Sequence, residues 1–261
     1  MLEFHSNPQQ YFDIQLHNAE KNVLPFIDAH LPNKEGRQLL EIGCGMGSVL
    51  SAFASKGWQC IGVEMYEPSL DNARHFLKPE IAEDSVKLVA KDIYMCDPEK
   101  DFGTRFDLIV LKDVIEHIHD QQKLIAWMKL FLKPGGMIFF GFPPWQMPYG
   151  GHQQVAASKV LSKLPYFHLL PMPLYKLTLK AFGENPEAFV EIKETGISIE
   201  KFQRIIQDTG YKIVAKTHWL INPVYEFKFG WKARKQFAPI SQLPWLRNFL
   251  TTAVYYLVQP A

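Results

Sequence analysis

Glu41 opens a stretch, Glu41-Ile42-Gly43-Cys44-Gly45-Met46-Gly47-Ser48, whose residue types and spacing suit a charged small molecule. An apolar run stops at Gly43, and an apolar helical pattern begins after Gly47. Glycine accepts positive φ and has no Cβ, so the backbone can turn sharply and offer its N–H groups to a ligand. The following helix N-terminus adds a partial positive charge. The chemistry is that of a nucleotide cradle. A dinucleotide cradle reads G-x-G-x-x-G, its second glycine making room for a pyrophosphate. Here the pattern is G-x-G-x-G, with Ser48 in place of the third glycine. Glu41 would repel a pyrophosphate but suits an ammonium or sulfonium group. Both departures weigh against a nicotinamide-dependent oxidoreductase.

Further polar residues stand where apolar runs end. The run 59–63 ends at Glu64, seventeen positions after Gly47, near the spacing of a carboxylate that accepts from both ribose hydroxyls. The competing reading is a surface glutamate at a strand end. Another run, 86–90, leads to Asp92 and Ile93. The clearest strand pattern, 106–111, enters Lys112-Asp113-Val114-Ile115-Glu116-His117. Ligands bind along this edge of an open parallel sheet. Asp113, Glu116 and His117 have three readings: His117 as general base, a divalent-metal site, or a Glu116–His117 pair that shapes the loop. His152 follows Gly150-Gly151, which reads as a flexible joint, and either takes a proton or caps its loop. His152 and His117 are the catalytic candidates. No cysteines or histidines have zinc-site spacing, so no tightly held metal is expected.

Glu-x-Gly-x-Gly-x-Gly resembles motif I of class I S-adenosylmethionine (SAM) methyltransferases. The companions follow in order over 38–142: Glu64, Asp92, the strand to Asp113, and Leu132-Lys133-Pro134-Gly135-Gly136 before a fifth strand. The Asp-x-x-Glu-His cluster is similar to small-molecule methyltransferases of the ubiquinone-biosynthesis type. The resemblance implies SAM as cofactor and S-adenosylhomocysteine as product. Glu41, Gly43, Cys44, Gly45, Gly47, Glu64, Met65, Asp92, Ile93 and Asp113 would hold it, Asp92 accepting from the adenine amino group and Ile93 packing on the ring. It also implies a Rossmann-like three-layer α/β sandwich: a seven-stranded, mostly parallel sheet, an antiparallel last strand, and a lid after strand five. The implied reaction is in-line methyl transfer to a small-molecule, lipid-like or glycan-like acceptor, at oxygen, although the residues themselves do not identify the acceptor atom. A non-catalytic SAM-binding or membrane-adaptor protein is the other class of reading.

The positioning elements follow from periodicity. Phe12, Leu16, Ala19, Val23, Phe26 and Ile27 recur at helical spacing, which predicts a helix over about 8–31, ended by Pro32, Asn33 and Gly36. Gln15 and Asn18 lie on it and could face the cofactor. Further helices are expected over about 68–77 and from Leu124 to Leu132, the latter stopped by Pro-Gly-Gly. The fifth strand is expected over 137–142. An excursion of about fifty residues follows, long for a simple connection. In it, 145–154 should line the acceptor pocket, with Trp145 and Tyr149 as flat walls. The apolar stretch 164–182 is either a packed lid or a surface for a lipid-like substrate or membrane. Pro165, Pro171 and Pro173 prevent it from being a continuous spanning helix. A helix enters at Ser198 and closes at Gly210, a strand covers 211–220, and a closing strand covers 254–258. Between these strands Lys228, Lys232, Arg234 and Lys235 alternate with Phe227, Phe229, Trp231 and Phe237. That pattern is either a solvated helix face or a site for an anionic head group.

The chain of 261 residues suits one domain with additions: a helical cap over 1–36, a cofactor-binding core over 37–142, a lid over 143–197, and the rest of the sheet over 198–261. A net charge of +1 gives no reason to expect a nucleic-acid partner. Cys44, Cys60 and Cys96 read as reduced thiols. The first eight residues lack a signal-peptide pattern, so a cytoplasmic protein is expected, free or peripheral to a membrane. Oligomeric state is not readable.

Overall fold

In the computed structural model, residues 7–31 and 36–261 are described. Its strands are β1 Gln38–Ile42, β2 Gln59–Glu64, β3 Val86–Ala90, β4 Phe106–Lys112, β5 Leu132–Phe142, β6 Tyr211–Ile221, β7 Arg234–Lys235 and β8 Ala253–Pro260. They form one sheet in the order β3-β2-β1-β4-β5-β8-β6-β7. The pairs β1–β2, β1–β4, β2–β3 and β4–β5 are parallel, and β8 lies antiparallel to both β5 and β6. Leu39, Leu40, Leu108, Ile109, Val110 and Leu111 are all fully buried, because a parallel strand covered on both faces needs a continuous apolar run.

The sheet has the expected seven strands plus β7, a two-residue edge piece antiparallel to β6. It also starts β5 earlier than Met137. Phe106 pairs with Leu132 and Leu108 with Met137, so residues 133–136 loop out of the ladder rather than preceding it. Gly136 is needed there, since a Cβ would lie 2.8 Å from the Phe106 carbonyl oxygen.

Helices cover both faces. In chain order they are α1 Pro8–Asn18, α2 Leu24–Asp28, α3 Ser48–Ala54, α4 Glu67–Phe76, α5 Lys78–Ala82, α6 Gln121–Trp127, α7 Met172–Ala181, α8 Pro186–Thr195, α9 Ile199–Asp208, α10 Val224–Phe229, α11 Ala238–Gln242 and α12 Leu246–Leu250. One core joins α6 and α9 to the sheet, and the other joins α2, α3 and α4 to its opposite face. The expected long N-terminal helix is α1 and α2 joined by a π turn at Ala19–Val23. Pro25 follows that turn; it cannot donate to the ladder and crowds the carbonyl four residues back. Pro32 and Asn33, read as its end, lie outside the described residues, as do Met1 to Ser6.

The excursion after β5 is not irregular. It carries α7 and α8, which close over a small core of Leu161, Phe167, Tyr175, Leu179 and Phe189. No helix among the described residues is long and apolar enough to cross a membrane.

Candidate active site

The turn after β1 uses its three glycines differently. All have left-handed φ, +68° at Gly43, +53° at Gly45 and +82° at Gly47. A Cβ at Gly43 would lie 2.7 Å from Val114 Cγ2, and one at Gly47 would lie 2.3 Å from Leu77 Cδ1. Those two glycines let neighbours pack closely. At Gly45 a Cβ would meet nothing within 4 Å, so this residue faces open space. Glu64, at the end of β2, clamps the turn. Its Oε2 accepts from the Gly45 N–H at 3.1 Å, and its Oε1 accepts from the N–H groups of Met65 and Tyr66, both at 2.9 Å.

Two cavities meet at this turn, and Gly43 and Asp113 line both. The larger, about 650 Å³, is lined by Glu64, Met65, Asp92, Ile93, Asp113 and His117 among others. Asp92 also caps a short 3₁₀ turn, its Oδ1 accepting from the Tyr94 N–H at 3.0 Å. The smaller, about 150 Å³, lies under α1 and is lined by Tyr11, Gln15, Glu41, Cys44, Gly45, Ser48 and Lys112 among others. Glu41 is buried and its Oε2 has no hydrogen-bond partner among the described residues. Burial holds its carboxyl well above the usual carboxylate range, against the pull of Lys112. Lys112 Nζ donates to Gln15 Oε1 at 2.9 Å and to Asp113 Oδ2 at 2.6 Å. Burial opposes the lysine charge, but Asp113 outweighs it and the ammonium is held above its ordinary value. Asp113, whose side chain is 51% exposed, shows the converse: desolvation of its inner side would raise it, and Lys112 keeps it below the carboxylate range.

Beyond Asp113, residues distant in sequence converge. The rings of His117 and His152 are 5.0 Å apart. Each offers one ligand atom within 4.8 Å of the other and of a Glu116 carboxylate oxygen. Glu116 is 4% exposed, and no donor of another described residue reaches either of its oxygens. Burial, then the nearby Asp113, raises its carboxyl well above the ordinary range. Burial lowers His117, and burial followed by His117 itself lowers His152 to about 4. Lowered that far, His152 is neutral at neutral pH and a weaker base than a free imidazole. Asp113 and His152 both hold left-handed backbone, φ +57° and +52°, a conformation that costs non-glycine residues roughly 1–3 kcal/mol and gathers at functional sites.

A family described as a methyltransferase domain matches residues 15–170, more than half of the chain. The chain belongs to that family. The ubiquinone biosynthesis O-methyltransferase of Stutzerimonas stutzeri is 31% identical over 126 residues, which are 48% of this chain and 52% of that protein. The one from Idiomarina loihiensis is 32% identical over 126 residues, 48% of this chain and 50% of its own. The aligned part thus spans about half the length of the curated relatives it matches. Among solved structures, the magnesium protoporphyrin IX methyltransferase of Synechocystis PCC 6803 with bound SAH superposes with a TM-score of 0.57 at 13% identity, covering 100% of this chain and 89% of its own. The Haemonchus contortus phosphoethanolamine N-methyltransferase 2 complex with S-adenosyl-L-methionine gives 0.57 at 18% identity, covering 91% and 52%. At these identities the likeness is one of fold: the expected Rossmann-like sandwich.

Within this methyltransferase-domain fold, the sequence-derived residues divide. Glu41, Gly43, Cys44, Gly45, Glu64, Met65, Asp92, Ile93 and Asp113 line one cavity or the other, while Gly47 lines neither and packs beneath Leu77. Cys44 keeps its thiol in the core, against Gly62. The segment 145–154 departs from expectation. A Cβ on Gly150 would lie 2.1 Å from the Trp145 carbonyl oxygen, and one on Gly151 would lie 2.4 Å from His168 Cβ. This pair is tightly packed, not a flexible joint. Trp145 is a fastener of the lid rather than a pocket wall: its ring meets His168 edge-on at 4.7 Å, and a Cβ on Gly196 would lie 2.7 Å from its Cδ2. Sequence reading missed Lys112 and Tyr11. It also missed Lys228 and Tyr225 of α10, which reach the surroundings of Asp113. Burial lowers Lys228 to about 8, against the pull of Asp113. A lysine before a strand-end aspartate was the one signal for Lys112; Lys228 stood out only within the basic-aromatic series, not as a neighbour of Asp113.

Proposed function

We propose that this chain transfers the methyl group of SAM to the oxygen of a small, amphipathic acceptor. The arrangement of the two cavities carries the reading. In the smaller one, the Glu41 carboxyl and the Lys112 ammonium line a space sized for an amino-acid zwitterion: Lys112 would meet its carboxylate, and its ammonium would meet Glu41 and favour the ionised form that burial disfavours. The larger one is lined by Glu64, Asp92 and Ile93, which would serve a nucleoside as an acid for the ribose, an acid for an amino group and an apolar side chain for a ring. The sulfonium joins these two parts of SAM, so its place is where the cavities meet, at Gly43 and Asp113. That junction adjoins His117 and His152.

The chemistry follows from that position. The acceptor hydroxyl gives its proton to His152 while its oxygen attacks the methyl carbon. The new O–C bond forms as the S–C bond breaks, and the electron pair leaves with sulfur as a neutral thioether. The sulfonium is already activated, so alignment between lid and sheet can supply roughly 7–11 kcal/mol of the barrier. The lid over 143–197 carries His152 and would cover the acceptor.

A second reading has one specific observation behind it. Glu116, His117 and His152 offer two imidazoles and an otherwise unpartnered buried carboxylate within reach of one divalent cation. In that reading these residues hold the ion, which supplies Lewis acidity toward the acceptor oxygen. The deciding experiment is methyl transfer from labelled SAM to lipid, sugar and small-metabolite fractions of a source-cell extract, with and without exhaustive chelation. Activity in the chelated sample supports His152 as base. Activity lost to chelator and restored by magnesium, manganese or zinc supports the cation. No transfer to any fraction, together with no SAM binding by calorimetry, overturns the assignment.

A further inference from the structure

Helix α12 is built inside out. Its polar residues face the protein: Arg247 is 8% exposed and Asn248 fully buried. Arg247 Nε donates to Glu200 Oε1 at 2.9 Å, and its Nη2 donates to Gln203 Oε1 at 3.1 Å. Asn248 donates to Glu200 Oε2 and accepts from the Ile199 N–H at 2.8 Å. Its apolar residues face outward. Leu246, Phe249 and Leu250 recur at i, i+3 and i+4, one helical face, and are 50%, 38% and 38% exposed; Trp245, just before them, is 64% exposed. A buried ion pair stabilises no more than apolar residues of the same shape, so core packing alone does not favour this orientation. Trp245 also holds a left-handed φ of +65°, which bulky residues seldom adopt.

Beside this face lies a cavity of about 600 Å³, with Lys216, Lys235, Gln236 and Ser241 in its lining. No acidic side chain lines it, and its Arg247 is already committed to Glu200. Lys216 and Lys235 are exposed and form no ion pair among the described residues. Gln236 Nε2 donates to the Leu250 carbonyl at 2.6 Å, tying the cationic cavity to the end of α12. From the lid, the Tyr166 hydroxyl donates to the Phe249 carbonyl at 3.0 Å.

We propose that this edge docks on an anionic lipid bilayer, Trp245, Leu246, Phe249 and Leu250 entering the boundary between head groups and acyl chains while Lys216 and Lys235 meet lipid phosphates. An apolar helix face with a tryptophan at its start suits that boundary, and the unanswered lysines suit a negative surface. Charge separates this occupant from a second copy of the chain, whose same lysines would find no acid in the cavity to oppose them. The proposal stands apart from the assigned chemistry, since vesicle binding requires no SAM.

The test is flotation with vesicles of phosphatidylcholine alone and of phosphatidylcholine with phosphatidylglycerol, using the full chain. Binding is expected to the anionic vesicles only, to weaken with salt, and to move tryptophan emission to shorter wavelength. Lys216→Glu and Lys235→Glu should each weaken binding at least about five-fold, and Phe249→Glu roughly ten-fold or more. Circular dichroism and SAM calorimetry on each variant show that the fold is retained. Absence of binding by the unaltered chain overturns the proposal, as does unchanged binding in folded Phe249→Glu and Lys235→Glu. Concentration-dependent dimers abolished by Phe249→Glu, without vesicle binding, would assign the face to self-association instead.

Discussion

The glycine turn after β1 and the Gly150-Gly151 turn after β5 look alike in sequence, and both bear on the site. They differ in what a side chain would meet. At Gly45 a Cβ meets nothing within 4 Å, whereas at Gly150 it would lie 2.1 Å from a carbonyl oxygen. One turn leaves open space beside its backbone, and the other uses glycine to fold the lid loop tightly against itself. The difference extends to the regions they serve. On the cofactor side, each candidate residue sits at a strand end and its place follows from sheet register. On the acceptor side, His117 and His152 meet only because two loops from different strands converge.

Substitutions at the glycines probe the contrast most strongly. Gly45→Val carries roughly 1–2 kcal/mol for left-handed backbone but should still fold, with no SAM binding detectable by calorimetry, because its side chain projects into the open space of the smaller cavity. Gly47→Val carries the same backbone cost and should lose a further roughly 1–3 kcal/mol for overpacking against Leu77. Thermal denaturation separates the two. A folded Gly45→Val that binds SAM normally would break the comparison.

His152 tests the acceptor side. His152→Asn keeps a residue type tolerant of left-handed backbone, so folding and SAM affinity should hold while turnover falls about 10²–10⁴-fold, the usual contribution of a positioned base. Equal loss of affinity and turnover would move His152 out of the chemistry and into the cofactor cavity. A smaller effect is expected at Glu64. Its Oε2 accepts one hydrogen bond, from Gly45, and keeps a lone-pair site for a ribose hydroxyl. Losing charged hydrogen bonds of about 1.5–3 kcal/mol each should weaken SAM about 10–100-fold in Glu64→Ala, measured by calorimetry.

Legibility follows the same division. The ends of β2 and β3 and the start of α9 at Ser198 match the sequence reading, because apolar runs that stop at a polar residue and a serine cap are local signals. Glu64 and Asp92 could be named in advance for the same reason. The helices α7 and α8 escape the sequence reading because Pro165, Pro171 and Pro173 interrupt the apolar stretch before and at the start of α7 and a proline opens α8, although Pro173 and Pro186 sit in the first turn, where proline is tolerated. The π turn before α2, the inverted face of α12 and the approach of Lys228 depend on contacts distant in the chain. No window of residues encodes them.

The smallest expected effect is on stability in acid, and it too falls on the lid and C-terminal side. His168 of the lid is fully buried, its Nε2 2.8 Å from the Trp145 carbonyl oxygen. His218 of β6 is buried with its Nε2 2.9 Å from the Tyr256 hydroxyl. Burial lowers each to about 4; the Trp145 carbonyl pulls His168 the other way, and Arg247 and Lys216 lower His218 further. An unfolded histidine titrates near 6.5, so between about 6.5 and 4 the unfolded chain binds more protons than the folded one. Stability supplied by the neutral rings is complete above that window and is lost as pH falls through it. The loss is on the order of 3 kcal/mol per ring. Replacing one ring by an uncharged hydrogen-bonding residue should flatten this acid limb, so His168→Gln and His218→Gln should each lose less stability than the unaltered chain between pH 7 and pH 4. Urea unfolding at several pH values measures it. Parallel acid limbs in all three proteins would place the acid sensitivity elsewhere and remove this distinction between the two sides of the molecule.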